Sequence, residues 1–190
     1  MPNGKFRRPS LVQRRVVITG LGAVSPLGNS AIASFENACR GHSGIDTISR
    51  FDASEYDSKI AGEVKGFDVS PYLAAKEVKK MDLFIQYSIA ASMMAIEDAK
   101  LSKDSLPSER TGVFIGVGMG GLPIIEEQHE ILLKRGPNRI TPFFIPKVIT
   151  NLASGQISIL LGAKGPNYSV TSACSSGSHA IGEAVKYIRD

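Results

Sequence analysis

The sequence of 190 residues contains no tryptophan, only two cysteines and no apolar run approaching the ~18 residues of a transmembrane helix. We therefore expect no membrane partner. The two cysteines, Cys39 and Cys174, lie far apart and do not form a disulfide framework. The N-terminus carries basic residues but lacks the apolar segment of a secretory signal. Together these absences predict a protein of the reducing cytoplasm.

Charge is unevenly distributed along the chain. The net charge is +4, and five of the 22 Lys and Arg residues lie in the first 15 positions, where there is no Asp or Glu. The other 17 basic residues are balanced by 18 acidic ones. A basic arm can contact nucleic acid, but a solvated terminus is its commoner role. We predict a basic flexible leader over residues 1–13, a globular domain over residues 14–190 and no nucleic-acid partner.

Segments typical of strands and of helices alternate along residues 14–190. Predicted strands cover residues 15–19, 59–64, 111–117 and 168–171. Predicted helices cover residues 30–40, 82–99, 123–135 and 146–161 and a segment from Ser175 onward, with an aromatic loop at 141–146. We expect strand 15–19 and helix 82–99 to be buried and Cys39 to be a small apolar filler. The alternation predicts an α/β fold with helices layered on a mainly parallel sheet.

The most informative stretch is YSVTSACSSGSHAIG, residues 168–182. It predicts a strand, a tight turn and a helix, with Cys174 at the helix N-terminus. Unpaired N–H groups and the positive end of the helix dipole favour a thiolate there. Small neighbours would admit a substrate carbonyl, and the Cys174 N–H could face a developing oxyanion. We predict that Cys174 is a nucleophile for acyl transfer; the alternative is a buried structural cysteine.

Several segments resemble the β-ketoacyl-acyl carrier protein synthases, the condensing enzymes of fatty acid synthesis. TSACSSGSHAIG around Cys174 is similar to their nucleophile motif. RRVVITGLGAVSPLG (14–28), KKMDLFIQY (79–87), GVGMGGL (116–122) and TPFFIP (141–146) match further family segments in the same order. The FFIP and QY segments resemble the type II enzymes more than the type I enzymes. The resemblance covers residues 14–190 and implies the N-terminal half of a thiolase-like fold.

The resemblance also implies an activity and roles for individual residues. Cys174 would take the acyl group of an acyl-acyl carrier protein, and malonyl-acyl carrier protein would then lose CO2 and condense with that thioester. Met119 and Phe144 would contact the acyl chain, although both could simply be core residues. A basic patch would dock the acidic carrier protein, although such a charge run is more commonly a solvated face: Lys76, Lys79, Lys80 and Arg139. The family implies a homodimer through residues 168–173, and no cofactor or metal.

The sequence also departs from the family. The family's chains are much longer, and their two catalytic histidines, a lysine and a Gly-rich Phe loop belong to a second half that is absent here. We therefore expect these residues to accept an acyl group but not to condense it. The chain stops at Asp190 in mid-helix without a cap, which suggests truncation.

The sequence also contains partial patterns of a dinucleotide site and of a metal site. Gly116, Gly118 and Gly121 have the GxGxxG spacing of a dinucleotide site between a strand and a helix. However, residues 132–139, about 20 positions on, contain no carboxylate to bind a ribose. A helical face bearing His129 with Glu126 and Glu130 could hold a metal, but the sequence suggests no fourth ligand.

The sequence offers no convincing general base for Cys174. His179 lies five residues after Cys174, about 140° around an ideal helix, so we expect it to point away from the thiol and to be a poor base. A non-catalytic acyl-binding or assembly fragment remains the alternative function.

Overall fold

The computed structural model describes residues 14–106 and 108–190, so the predicted leader over 1–13 lies outside the described residues. The α-helices in these ranges are α1 (Ala31–Cys39), α2 (Ala75–Val78), α3 (Leu83–Asp98), α4 (Leu122–Arg135), α5 (Phe144–Val148), α6 (Leu152–Leu161) and α7 (Ser176–Arg189). The strands are β1 (Ile45–Thr47), β2 (Ile60–Gly62), β3 (Val113–Gly116) and β4 (Asn167–Val170). None of the described helices is long and apolar enough to cross a membrane.

Strands β3 and β4 form a parallel pair, with Val113 opposite Asn167. Neighbouring side chains of a strand point to opposite faces. Val113 therefore packs in the core with Ile157 of α6, whereas the Phe114 ring centroid lies 5.2 Å from that of Tyr187 on α7. Helices α6 and α7 thus cover opposite faces of the pair, and α3 packs on α6. This is the predicted layered arrangement.

A second, antiparallel pair joins β1 to β2, with Ile45 opposite Gly62. The sequence predicted β2 but not its partner β1, whose three residues are all exposed. The described part of the chain therefore holds one parallel and one antiparallel pair.

The predicted helix 82–99 is confirmed as α3. Its N-cap is Asp82, whose side chain accepts a hydrogen bond from the Phe84 N–H. Ile85 and Ile89 on α3 are fully buried, and burial of each such side chain stabilises the fold by about 1.5–3 kcal/mol. The core around them contains Val69, Leu73, Met81, Val113, Ile157 and Leu161. Only Ile85, Gln86, Ile89 and Ala90 of α3 are buried, and Leu83 is exposed, so the expected burial of the helix holds on one face only.

The prediction of a buried strand at residues 15–19 is wrong. Residues 14–24 are not part of a ladder in the described structure, and Val17 and Ile18 are 61% and 80% exposed. The segment just after them instead lies flat on α3. A Cβ atom built on Gly22 would lie 2.0 Å from the Ala91 carbonyl oxygen. Glycine permits this approach to a helix backbone, whereas a buried strand would need neighbouring strands.

The predicted loop 141–146 and helix 146–161 are also corrected. Helix α5 already begins at Phe144 and ends at Val148, and α6 begins at Leu152. Ile149 between them has extended backbone, with ψ 130°. The β-branched run 148–150 disfavours helix, and the Thr150 carbonyl accepts a hydrogen bond from the Ser169 hydroxyl at 3.1 Å. The break therefore ties the start of α6 to β4.

Helix α1 does not behave as a core helix. Its N-cap is Ser30, whose side chain accepts a hydrogen bond from the Ala33 N–H. However, none of its residues is buried, and Cys39 is exposed. The prediction that Cys39 is an apolar filler is therefore wrong, because its helix lies at the surface.

The Glu63 carboxylate holds the loop after β1 and supports a stability prediction. It accepts hydrogen bonds from the Ser49 hydroxyl at 2.6 Å and from the backbone N–H groups of Ser49 and Arg50. The Ser49 hydroxyl, helped by these N–H groups and opposed by burial, holds the pKa of Glu63 below its usual value. The stabilisation is therefore complete above the ordinary glutamate pKa of about 4.3. It is lost as the pH falls through the lower folded-state pKa.

We expect Glu63→Gln to lower the melting temperature at pH 7, because an amide presents one acceptor oxygen where the carboxylate presents two. The difference from wild type should narrow as the pH falls below about 4.3. Thermal unfolding from pH 7 to pH 3 measures this, with the exposed Glu55→Gln as the matched control. A difference that stays constant with pH would contradict the assignment.

Candidate active site

Cys174 lies in an exposed turn at the start of a helix. It is the middle residue of the 3₁₀ turn Ala173–Ser175, which continues directly into α7, and its side chain is exposed. N–H groups in the first turn of a helix have no intrahelical acceptor. The alternative of a buried structural cysteine is therefore wrong, and the predicted strand, turn and helix are observed.

The residue before Cys174 has an unusual backbone conformation. Ala173 has φ +50°, in the left-handed region that favours glycine. This conformation costs a residue with a Cβ roughly 1–2 kcal/mol. The surrounding contacts must hold the turn in this shape, which presents Cys174 to solvent.

Serine side chains supply those contacts. The Ser176 hydroxyl accepts from the Ser172 N–H at 2.9 Å and donates to the Ala173 carbonyl at 2.7 Å. The Ser175 hydroxyl donates to the Ser172 carbonyl at 2.8 Å. Ser176 is only 2% exposed, so its two bonds are shielded from competing water. The turn is therefore fixed by α7, the helix that it begins.

Two glycines, one that ends β3 and one that lies just after it, allow this turn to pack closely. A Cβ on Gly116 would lie 2.3 Å from the carbonyl carbon and oxygen of Ser176, and one on Gly118 would lie 3.1 Å from the Ala173 oxygen. Both glycines of the GxG segment therefore allow close packing of the Cys174 turn. Their spacing needs no bound dinucleotide to explain it.

Strand β4, which leads into the turn, is anchored by an aromatic cluster. The Tyr168 ring centroid lies 4.9 Å from that of Phe114 and 6.0 Å from that of Tyr187 on α7. Burial, followed by the Tyr187 hydroxyl and the charge of Glu183, raises the pKa of Tyr168 to about 12. The Tyr168 hydroxyl therefore stays neutral and serves packing.

The comparisons with known proteins agree with this geometry. The family model described as the N-terminal domain of beta-ketoacyl synthase matches residues 13–190. The chain belongs to this family.

Curated proteins similar to this ketosynthase domain include two that are named 3-oxoacyl-[acyl-carrier-protein] synthase 2. It is 46% identical over 181 residues to 3-oxoacyl-[acyl-carrier-protein] synthase 2 of Synechocystis sp., covering 95% of this chain and 44% of the relative. It is 46% identical over 176 residues to the Staphylococcus aureus (strain COL) protein of the same name, covering 93% and 42%. The chain thus spans less than half the length of these curated relatives. They confirm the family resemblance seen in the sequence.

Solved ketosynthase structures share the fold. The ishigamide ketosynthase/chain length factor superposes with TM-score 0.85 at 28% identity, covering 93% of this chain and 44% of its own. A type II polyketide ketosynthase, solved with its acyl-carrier protein and bound to the hexaketide, superposes with TM-score 0.80 at 28% identity, covering 93% and 48%. The predicted α/β half of a thiolase-like fold is confirmed.

The ketosynthase domain has a groove beside the GVGMGGL segment, and it separates the two predicted acyl-chain contacts. Met119, 69% exposed, lines a groove of about 420 Å³ with Phe84, Tyr87 and Gly121. Phe144 is half-buried at the start of α5 and is not among the described residues that line this groove. The structure thus places Met119, but not Phe144, at the groove. Both roles stay predictions.

The three lysines of the predicted basic patch lie in and just after a short helix. Helix α2 is only four residues long, so Lys76 lies in it, Lys79 caps it and Lys80 follows it. The Lys80 ammonium is 2.9 Å from the Glu77 carboxylate, which compensates its charge. Only Lys76 of the three lysines therefore lies within α2. Lys76, Lys79 and Arg139 are exposed, and the docking role stays a prediction.

The histidines have different surroundings. His179 Nδ1 lies 2.6 Å from the Ser172 hydroxyl, and His42 Nδ1 lies 3.1 Å from the Asn37 amide oxygen. No three His, Cys, Asp or Glu side chains within 14–106 and 108–190 gather closely enough to hold a metal ion.

The contacts that sequence reasoning missed are those of the Ser176 hydroxyl with Ser172 and Ala173 and that of His179 with Ser172. Serine just before a helix is a common N-terminal capping signal, but neither Ser172 nor Ser175 makes a side-chain cap hydrogen bond, so that signal does not indicate these contacts. The contact of Ser172 with His179 spans the turn and depends on its bend, which helical spacing alone does not give.

Proposed function

We propose that this domain performs the acyl-accepting step of a 3-oxoacyl-acyl carrier protein synthase in fatty acid elongation. The observation that carries the proposal is the exposed Cys174 at the N-terminus of α7, in a chain that belongs to the ketosynthase family. The 46% identity to two 3-oxoacyl-[acyl-carrier-protein] synthases supports it.

The first chemical step is thioester exchange. The Cys174 thiolate attacks the carbonyl of an acyl-carrier thioester, and a new C–S bond forms as the carbonyl oxygen becomes an oxyanion. First-turn N–H groups, including that of Cys174, can donate to this oxyanion. Collapse of the intermediate breaks the carrier's C–S bond, and the carrier thiolate takes up a proton. The acyl group is then a thioester of Cys174.

The second step is decarboxylative condensation. Malonyl-acyl carrier protein loses CO2, and the resulting carbanion attacks the Cys174 thioester, which forms the 3-oxoacyl product and restores the thiolate. This carbanion needs neutral hydrogen-bond donors to stabilise it. The family resemblance assigns this task to two histidines, and none of His42, His129 and His179 matches them in sequence. We infer that the condensation step relies on groups other than these three histidines.

The experiment that tests the acyl acceptor compares two cysteines in one protein. The protein is incubated with an acyl thioester of pantetheine, digested and mapped by mass spectrometry. Cys174 and Cys39 are both exposed, but Cys39 is the last residue of α1, at the negative end of a helix dipole. We expect acylation at Cys174 only. Equal acylation of both would show general thiol reactivity and would overturn the assignment.

The carrier protein is the proposed partner, and the exposed cations Lys76, Lys79 and Arg139 are its proposed docking residues. Acyl carrier proteins are acidic, so these residues would attract one electrostatically. The structural neighbour solved with its own acyl-carrier protein supports a partner of this class.

We expect Lys76→Glu combined with Lys79→Glu to weaken binding of acyl carrier protein by about tenfold at low salt, mainly through slower association. Surface plasmon resonance at two salt concentrations measures this. The charge-matched control is Lys59→Glu with Lys100→Glu, two exposed lysines outside the group. Equal weakening by both pairs would reflect net charge and would contradict a local docking site.

A homodimer and a cytoplasmic location complete the proposal. In the described residues β4 pairs with β3 along one edge only, so its other edge is available to the same strand of a second copy. Both cysteines are free, as expected of a reducing compartment. Sedimentation velocity measures the predicted dimer.

Two other functions predict different results. A non-catalytic acyl-binding fragment predicts that Cys174→Ala leaves acyl-carrier binding and acyl labelling unchanged. A dinucleotide-binding domain predicts saturable NAD(P)H fluorescence, which the acyl-transfer function does not.

A further inference from the structure

Every polar group of Ser172 is engaged. Its N–H donates to the Ser176 hydroxyl at 2.9 Å, and its carbonyl accepts from the N–H and the hydroxyl of Ser175. Its own hydroxyl lies 2.6 Å from Nδ1 of His179. The first three contacts are local to the turn. Only the fourth ties the Ser172 side chain to a residue beyond the start of α7.

The position of His179 explains how it reaches Ser172. His179 is the fourth residue of α7, and helical side chains tilt toward the helix N-terminus. Its imidazole therefore lies over the preceding turn. Ser172 precedes the helix, and the bend at Ala173 brings its hydroxyl under the ring.

The contact between Ser172 and His179 affects the position of Cys174 because Ala173 links Ser172 to Cys174. The unfavourable φ of +50° at Ala173 must be held from both sides. The Ser176 hydroxyl holds the Ala173 carbonyl on one side, and Ser172 precedes it on the other. Ser176 is buried, whereas His179 is exposed, so loss of the imidazole would loosen the turn without opening the core.

We infer that His179 is a positioning residue for Cys174. Its Nδ1 contact with the Ser172 hydroxyl holds the turn in the conformation that places the Cys174 thiol at the helix N-terminus. This inference rests on the proposed acyl-transfer function. It gives His179 no role as a base.

The test exploits which ring nitrogen is engaged. In His179→Asn a polar atom stays on Cγ, where Nδ1 is attached, whereas in His179→Gln it is one carbon farther out. We expect His179→Gln and His179→Ala to slow acyl transfer from acyl-pantetheine to Cys174 by about tenfold or more, because small misplacements of a reacting group are costly. His179→Asn should retain most of the rate, and all three variants should melt close to wild type.

A double-mutant cycle adds a second readout. Ser172→Ala should slow transfer as much as His179→Ala does, and the double variant should be no slower than either, because one contact is lost in every case. A His179→Asn variant as slow as His179→Ala, or fully additive effects of the two substitutions, would overturn the inference.

Alkylation of Cys174 by iodoacetamide separates this inference from the proposed function. If the wild type takes no acyl group, the proposed function fails. The rates at which iodoacetamide alkylates Cys174 in the wild type and the His179 variants still test whether His179 positions the thiol. We expect wild type and His179→Asn to react faster than His179→Gln and His179→Ala. Identical rates in all four proteins would overturn the role of His179. If His179→Ala has a clearly lower melting temperature than the wild type, the comparison of His179→Asn with His179→Gln tests the inference.

Discussion

Cys174→Ala is expected to reduce acyl transfer from acyl-acyl carrier protein by at least about 100-fold, because a methyl group cannot form the covalent intermediate. The Cys174 side chain is exposed, so its removal should leave the melting temperature nearly unchanged. The rate of appearance of the acylated protein, followed by intact mass spectrometry, measures the loss.

Cys39→Ala is the matched control, since it removes the other exposed thiol and should leave the rate unchanged. A Cys174→Ala protein that acylates at the wild-type rate would place the acyl group elsewhere. That outcome would reduce Cys174 to a surface thiol and favour a non-catalytic acyl-binding role.

Gly116→Ala is expected to destabilise the fold by several kcal/mol. The added Cβ would lie 2.3 Å from the backbone carbon and oxygen of Ser176 and 2.4 Å from the Gly177 nitrogen. Overpacking against side chains costs about 1–3 kcal/mol, and here the obstacle is a helix backbone that cannot rotate away. Relief would require α7 to move off β3, so the Cys174 turn should be disturbed as well.

The matched control for Gly116→Ala is Gly182→Ala on α7. A Cβ there meets no atom within 4 Å, and alanine favours a helix by up to about 1 kcal/mol over glycine. Urea unfolding should therefore show a large loss for Gly116→Ala and a small gain for Gly182→Ala. Equal stability of the two variants would contradict the close packing of β3 on α7.

Local signals in the sequence predicted most of the helices. The apolar composition of residues 82–99 indicated α3, and Gly136 and Pro137 after Arg135 indicated the end of α4, because these signals come from neighbouring residues. The strand around Val113 and the turn at Cys174 were likewise visible, since each is bounded by small residues.

Features that depend on distant contacts could not be predicted in this way. Residues 15–19 have the composition of a buried strand, yet they pair with no other strand in the described structure, and Val17 and Ile18 are exposed. The break at Ile149 depends partly on a hydrogen bond between the Thr150 carbonyl and the Ser169 hydroxyl.

In the candidate site, too, the local sequence indicated some features, whereas those that depend on the folded backbone were missed. Cys174 was identified from its local sequence and from the family resemblance. The supporting contact between Ser172 and His179 was missed, because an ideal helix extended back through the turn places these side chains wrongly. The left-handed backbone at Ala173 bends the chain there, and nothing in the residue type of alanine indicates it.

The central claim is that these residues supply the acyl-accepting step, and the most direct measurement is mass analysis of the protein with its two proposed substrates in turn. With acyl-acyl carrier protein, we predict one acyl group per chain, located on Cys174. When malonyl-acyl carrier protein is added, we predict that this group stays in place and that no 3-oxoacyl product forms. Absence of the adduct from a folded protein would contradict the claim, and formation of product would contradict our assignment of the condensation step to other groups.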